Sequence, residues 1–361
     1  MDDARSLRVA YVSESYGPHD HRFLTAAKSV ARDVWHLRMD PTVPIKEERP
    51  TPVGDMHTRL LPSGELGGRV DALRAALAEI RPDVVHAGPL QRITFPAVLA
   101  TDLPVVAASW GSDLLRAAAE DPVWRDVAAF SLSRAKGFLS DCAAVFDVAR
   151  ELGYRGPHAR VPWGIDVSQF RPDGAGKRFG PADAFVILST RNWEEVYDVE
   201  TLARAFAALE PDTGAHLVLC GSGSEESRLR SILEEASTEG RVTWLGRVNQ
   251  DELPEVYRGA DLYVSTSKSD GSSVSLLEAM GCGRPVLVSD IPGNREWVEA
   301  AKHRFAVGDV DGLRASLRRL AKSPRAEREA SGHVGRVRVL RDADWSRVPH
   351  KLARLYAEVA P

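Results

Sequence analysis

Short apolar runs rich in β-formers recur along the chain at 9–12, 83–86, 105–108, 185–188, 217–219, 242–245, 262–264 and 285–288, with amphipathic stretches between them. That alternation is the strand-then-helix order of parallel α/β domains. The runs fall into two sets. Between the sets lies Arg171-Pro172-Asp173-Gly174-Ala175-Gly176-Lys177, a stretch of turn formers and charge that reads as a linker. Two α/β domains joined by a hinge are therefore predicted, over 1–170 and 171–344. Beyond them Val348, Leu352, Leu355, Tyr356 and Val359 recur at helical spacing, so 345–361 is read as a C-terminal helix. The pattern alone does not say whether that helix crosses back to the first domain. No short-period repeat and no low-complexity tract is found in the sequence.

The length of 361 residues suits two domains, since single cores stop growing at roughly 250 to 300 residues. A hydrophobic content of 43% with 27% charged residues is that of a globular chain. No run of about 18 apolar residues offers a membrane span. The first residues, Met1-Asp2-Asp3-Ala4-Arg5, lack an apolar secretion segment, so a cytoplasmic location is expected. Cys142, Cys220 and Cys282 lie far apart and form no CxxC pair, which fits free buried thiols. A net charge of -4 speaks against nucleic acid as a partner, and any anion must be held by a local site. The oligomeric state is not legible.

In open parallel sheets, ligands bind beyond the carboxyl ends of the strands. The residues following the runs of the second half are small or polar there: Arg191, Gly221-Ser222-Gly223, Gly246-Arg247-Val248, and Ser265 through Gly271. The most informative segment is Asp270-Gly271-Ser272-Ser273-Val274-Ser275-Leu276-Leu277-Glu278. A Gly/Ser turn opens a helix whose first free N–H groups and dipole can hold a phosphate. On that helix Val274, Ser275 and Glu278 share one face. Glu278 could accept hydrogen bonds from vicinal ribose hydroxyls and Asp270 from a sugar ring. Taken singly, Asp270 could equally be a helix cap and Glu278 one more surface glutamate.

The stretch from Asp270 to Glu278, followed by Ala279-Met280-Gly281-Cys282-Gly283-Arg284-Pro285-Val286, resembles the acid-x7-acid motif of retaining family 4 GT-B glycosyltransferases, the glycosyl transferases group 1. Further similar segments run in order, among them Trp110-Gly111-Ser112-Asp113, Pro162-Trp163-Gly164-Ile165-Asp166 and Arg191. The resemblance implies a GT-B architecture: two Rossmann-like parallel α/β domains facing a central cleft, the first for the acceptor and the second for the donor. It implies Glu278 on the nucleotide ribose, Asp270 on the donor sugar, and Arg191 with the backbone at Ser273-Val274 on the diphosphate. Gly221, Gly271 and Ser272 would line that donor site, with Arg247 and Val248 near the base. The family carries a lysine a few residues after the arginine, where this chain has Val196 or Tyr197. Arg247 and Lys268 are the candidates to replace it.

The first half departs further, with Trp110 where family members often carry histidine. Asp113 is retained and joins Asp270 and Arg191 as a catalytic candidate; the alternative is a cap on the helix beginning at Leu114. His86 could face the cleft or be a packed, hydrogen-bonded residue. The loop holding Gly17, His19 and His21 resembles the place where acceptor and donor phosphate meet, and Gly17 allows close backbone approach. His19, His21, His86 and Trp110 are thus the acceptor-side candidates. No metal is expected, because His19-Asp20-His21 cannot easily all face one ion and Asp309-Val310-Asp311 reads as a helix cap. The expected co-substrate is a nucleoside diphosphate sugar of UDP or GDP type, without a cofactor. The acceptor is expected to be a soluble small molecule or glycan, since no basic amphipathic helix marks the first half. The alternatives are a sugar-nucleotide 2-epimerase-like enzyme and a non-catalytic pseudo-glycosyltransferase acting as a partner subunit.

Overall fold

The computed structural model describes residues 3–39, 53–54, 56–62, 64–236, 238 and 240–361. The chain forms two compact units, one made of Met1–Pro162 with Ser346–Pro361 and the other of Trp163–Trp345. The stretch 171–177 packs on the second unit: Arg258 Nε donates to the Ala175 carbonyl at 2.7 Å. The C-terminal helix Val348–Val359 belongs to the first unit.

In the first unit seven strands form one parallel sheet: β1 (Arg8–Ser13), β2 (Asp33–Arg38), β3 (His57–Leu60), β4 (Val84–Ala87), β5 (Val105–Ala108), β6 (Gly137–Ser140) and β7 (His158–Arg160). Their order is β3-β2-β1-β4-β5-β6-β7. The Val348–Val359 helix lies against β6 at Gly137, where an added Cβ would stand 3.0 Å from Val359 Cγ1 and 3.3 Å from Leu355 Cδ1. The absent side chain lets the helix come that close.

The second unit holds a six-stranded parallel sheet: β8 (Phe185–Ser189), β9 (Ala215–Cys220), β10 (Val242–Gly246), β11 (Leu262–Ser265), β12 (Val286–Ser289) and β13 (Arg304–Phe305), in the order β10-β9-β8-β11-β12-β13. Successive side chains of a strand point to opposite faces. Val186 and Leu188 accordingly pack into one core with Tyr263 and Val288, while Phe185 and Ile187 pack into another with Leu262 and Val264. Both faces are buried, which is why these strands are apolar throughout. Asp309 caps the helix Val310–Lys322, its Oδ1 accepting from Gly312 N at 2.9 Å.

Candidate donor site

Chain order and sheet order part company where β11 pairs with β8 rather than with β10. Such a switch point opens a crevice beyond the strand ends. Arg191 follows β8, and the loop 266–273 follows β11 and leads into the helix Val274–Gly281. The two meet. Arg191 is 9% exposed; its Nη2 donates to Asp270 Oδ2 at 2.7 Å, and its Nη1 to Ser273 Oγ at 2.7 Å and Ser275 Oγ at 3.0 Å. The Tyr197 ring lies under the guanidinium, 4.0 Å from its centre, an electrostatically attractive stacking. Burial works against the charge of Arg191, but Asp270 and the surrounding tyrosines outweigh it and raise its pKa. Tyr197, one of the two residues standing where the lysine is expected, thus props the arginine and adds no charge of its own.

One turn into the helix, Glu278 is buried. Its Oε1 accepts from Gln250 Nε2 at 2.8 Å and its Oε2 from the Tyr257 hydroxyl at 2.8 Å. Tyr257 is itself held 2.8 Å from Thr190 Oγ1, beside Arg191. These two donors hold the Glu278 carboxylate in place. Gln250 and Tyr257 escape sequence reasoning; the only hint is a tyrosine in a helical apolar stripe, whose hydroxyl needs a partner once buried.

The surrounding loops are tightly fitted. Gly221 has φ +154°, and a Cβ there would lie 2.6 Å from the Arg191 carbonyl oxygen; glycine is required for the β9 exit to rest on the β8 exit. Gly293 stands against the carbonyls of Asp270 and Gly271, and Trp297 Nε1 donates to Ser272 Oγ at 3.3 Å. Together they fix the loop before the helix. On the other flank Arg247 Nε donates to Ser222 Oγ at 2.8 Å, and Val248 packs against the core. The expected donor-side set Arg191, Gly221, Asp270, Gly271, Ser272, Ser273, Val274 and Glu278 is therefore clustered at the switch point, with Arg247 and Val248 after β10.

In the first unit, Asp113 and His86 are both buried and hydrogen-bonded. Asp113 is a backbone clamp: its Oδ1 accepts from Ser109 Oγ (2.5 Å), Leu114 N (3.1 Å) and Trp110 N (3.2 Å), and its Oδ2 from Leu90 N (3.0 Å). It ties the β4 and β5 exits together, as the capping alternative anticipates. His86 is packed in the sheet, with Nδ1 2.7 Å from the Tyr356 hydroxyl and its ring against Tyr11 and Phe23. Burial pushes its pKa down to about 3. Gly17 caps the helix Pro18–Val30 at the β1 exit, its N–H donating to Asp20 Oδ2 at 2.8 Å. His19 and Trp110 meet edge to face at 6.0 Å, and His21 Nδ1 bonds the Tyr16 hydroxyl. Asp20 points inward, accepting from Tyr11 at 3.1 Å. Among the described residues no group of three or more His, Cys, Asp or Glu side chains could hold a metal ion.

Solved structures share the fold. The chain covers 96% of its length on HepE of Anabaena in complex with UDP and glucose, and 98% of that chain, with a TM-score of 0.76 at 16% identity. On the sucrose-phosphate synthase of Thermosynechococcus elongatus the TM-score is 0.78 at 18% identity, covering 97% and 98%. The fold is that of the GT-B glycosyltransferases. Residues 176–336 match the family described as Glycosyl transferases group 1, so the second unit carries a domain of that family. Its curated relatives are glycosyltransferases: 31% identity over 234 residues to the D-inositol 3-phosphate glycosyltransferase of Thermobispora bispora, covering 58% of this chain and 54% of that protein, and 29% over 228 residues to the GDP-mannose-dependent alpha-(1-6)-phosphatidylinositol monomannoside mannosyltransferase of Mycobacterium tuberculosis, covering 58% and 57%. The chain spans about half the length of the curated relatives it matches.

Proposed function

We propose that this protein moves a glycosyl group from a nucleoside diphosphate sugar to a hydroxyl of a small-molecule or glycan acceptor, with retention of anomeric configuration. The observation that carries the proposal is the buried cluster of Arg191, Asp270, Ser273 and Ser275 one helical turn from Glu278, at the switch point of the second sheet. Glu278, oriented by Gln250 and Tyr257, holds the ribose. Arg191 and the N–H groups at Ser273 and Val274 face the diphosphate, where fixed donors stabilise the charge that develops as it leaves. Asp270 contacts the sugar. The bond from the anomeric carbon to the phosphate oxygen breaks, the bond to the acceptor oxygen forms on the same face, and the acceptor proton passes to the departing phosphate oxygen. No side-chain base is needed.

A UDP- or GDP-linked donor is supported by the UDP complex of HepE and the GDP-mannose-dependent relative. No helix of the described residues is long and apolar enough to cross a membrane; the soluble acceptor and the cytoplasmic location are part of the proposal. Incubating the protein with UDP- and GDP-sugars and a panel of polyols, hydroxy acids and sugar phosphates tests the proposal, with product configuration read from the anomeric proton coupling. A glycoside of retained configuration is expected. An inverted product overturns the stereochemistry, and sugar-nucleotide epimerisation without any acceptor overturns transfer itself.

A further inference from the structure

The helix Arg325–Asp342 carries apolar residues on two faces, and its own unit packs on one of them. Inward, Gly332 and Val339 are buried. An added Cβ on Gly332 would stand 2.0 Å from the Gly283 carbonyl oxygen, and one on Gly335 would stand 3.3 Å from Met280 Cγ. Arg336 pins the same side, donating to the carbonyls of Phe170 (2.6 Å), Gly281 (2.9 Å) and Val167 (3.0 Å). Outward lie Val334, Val337 and Leu340, 71%, 52% and 38% exposed. None of the three belongs to either core of the second unit. Ala326, Ala330, His333, Val337 and Leu340 follow one another at spacings of four and three, all exposed, which lines them up as one seam along the helix.

We propose that this seam is a self-association surface, on which a second copy of the chain lays its own Arg325–Asp342 helix antiparallel about a two-fold axis at His333. The seam is small in its first half, at Ala326 and Ala330, and large in its last, at Val337 and Leu340. Antiparallel apposition sets Leu340 against Ala326 of the second copy and Val337 against its Ala330, filling the contact evenly; parallel apposition sets alanine on alanine and leaves a gap. Such a contact is isologous, each copy offering the same patch. Charge runs with the same polarity, Glu327 and Glu329 standing in the first half and Arg338 and Arg341 in the last. On the flank one residue past the seam, the two-fold brings Val334 to Val334 of the second copy and Glu327 to its Arg341. Each of these charges already has an opposite partner within the chain: Lys302 for Glu327, Arg325 for Glu329, Glu299 for Arg338 and Asp342 for Arg341. The rim is thus made of mixed-sign pairs, which suits a protein face and not an anionic lipid surface, where basic residues in excess are needed.

Sedimentation velocity of the full chain over about 5 to 300 µM tests this, because a contact along one helix lies at the small end of specific interfaces and a dissociation constant on the order of 10 to 100 µM is expected. The wild type should pass from monomer to dimer across that range. Val337→Glu, which puts a charge into the seam, should weaken association at least about tenfold. Its thermal unfolding should match the wild type, since the side chain is half exposed and outside the core. Orientation is read by cross-linking. His333→Cys, on the two-fold, should give a disulfide-linked dimer on mild oxidation. Ala326→Cys should not, since the two copies of that position would lie about 21 Å apart along the helices, and a disulfide needs Cα atoms within about 7 Å. The native Cys142, Cys220 and Cys282 are buried. A wild type that stays monomeric throughout, or a dimer that Val337→Glu leaves intact, overturns the proposal, as does cross-linking of Ala326→Cys as readily as His333→Cys.

Discussion

Asp270→Asn should move stability and nucleotide affinity in opposite directions. Asp270 Oδ2 and Arg191 Nη2 are 2.7 Å apart, with side chains 22% and 10% exposed. At an effective dielectric constant of about 20 the gross attraction at that distance is roughly 6 kcal/mol, much of it offset by taking the two charges out of water. Truncating one partner of a fully buried pair costs about 3 to 5 kcal/mol. Here Asp270 keeps some solvent, and Arg191 retains Ser273, Ser275 and Tyr197, which brings the expected loss to about 2 to 3 kcal/mol. For a domain of this size that lowers Tm by about 5 to 10 °C. The diphosphate meets the reverse situation. Removing the carboxylate that occupies Arg191 lifts one negative charge from the anion site, so nucleoside diphosphate affinity should rise about tenfold, or about 1.4 kcal/mol. Transfer from the intact donor should fall about a hundredfold, because the sugar loses its carboxylate. Scanning calorimetry and isothermal titration measure the first two. Weaker diphosphate binding in the variant would refute the claim that Asp270 and the diphosphate compete for Arg191.

Other perturbations probe the supports of the site and the first unit. Tyr257→Phe keeps the ring but removes the donor to Glu278 Oε2; about 2 kcal/mol of stability is expected to go, together with severalfold nucleotide affinity, and unchanged affinity in a titration would show that the tyrosine does not orient the carboxylate. Gly293→Ala drives a methyl into the carbonyls of Asp270 and Gly271; the loop must shift, so the donor KM should rise about tenfold or more, and an unaltered KM contradicts the buttressing role. Unfolded His86 gains a proton below about 6.5, whereas burial delays the folded residue to about 3, so its contribution to stability is present above 6.5 and is lost as pH falls toward 3. Between pH 7 and pH 5 that amounts to about 2 kcal/mol. Denaturant unfolding of His86→Phe at the two pH values should show an acid loss smaller by this amount; an identical loss in both proteins rules out His86 as a source. Asp20, whose pKa burial raises to about 6, works in the opposite direction, favouring the folded state as pH falls through that value.

Seven of the eight apolar runs coincide with strands inside their sheets, because a strand buried on both faces has no polar side to show; the eighth, 242–245, is the half-buried edge strand β10. Five strands lie outside the runs. β7 and β13, of three and two residues, are the outermost of their sheets, where pairing on one side alone needs no apolar signature. β3 likewise lies at an edge, its residues half or fully exposed. In β2 the polar residues Asp33, His36 and Arg38 interrupt the apolar pattern, and His36 tolerates burial by bonding Ser13 Oγ at 2.9 Å. β6 opens with Gly137, small because the C-terminal helix passes over it. At the donor site, the order of residues along the chain displays the acids and the Gly/Ser turn, but not that β8 and β11 are neighbours. Arg191 and Asp270 become an ion pair only through that adjacency. For Asp113 and His86 the sequence allowed both a ligand-facing and a packed role, and which holds depends on contacts made with Leu90 and with Tyr356, 23 and 270 residues away along the chain.

The central claim, that Glu278 holds the ribose of a nucleoside diphosphate sugar bound at the β8–β11 switch point, is tested most directly by thermal unfolding with and without UDP, GDP and their sugars, for the wild type and Glu278→Ala. A nucleotide at a hundred times its Kd should stabilise the wild type by about 2.7 kcal/mol, and the alanine variant should lose most of that increment. A wild type that responds to none of these ligands, or a variant that responds as fully as the wild type, would contradict it.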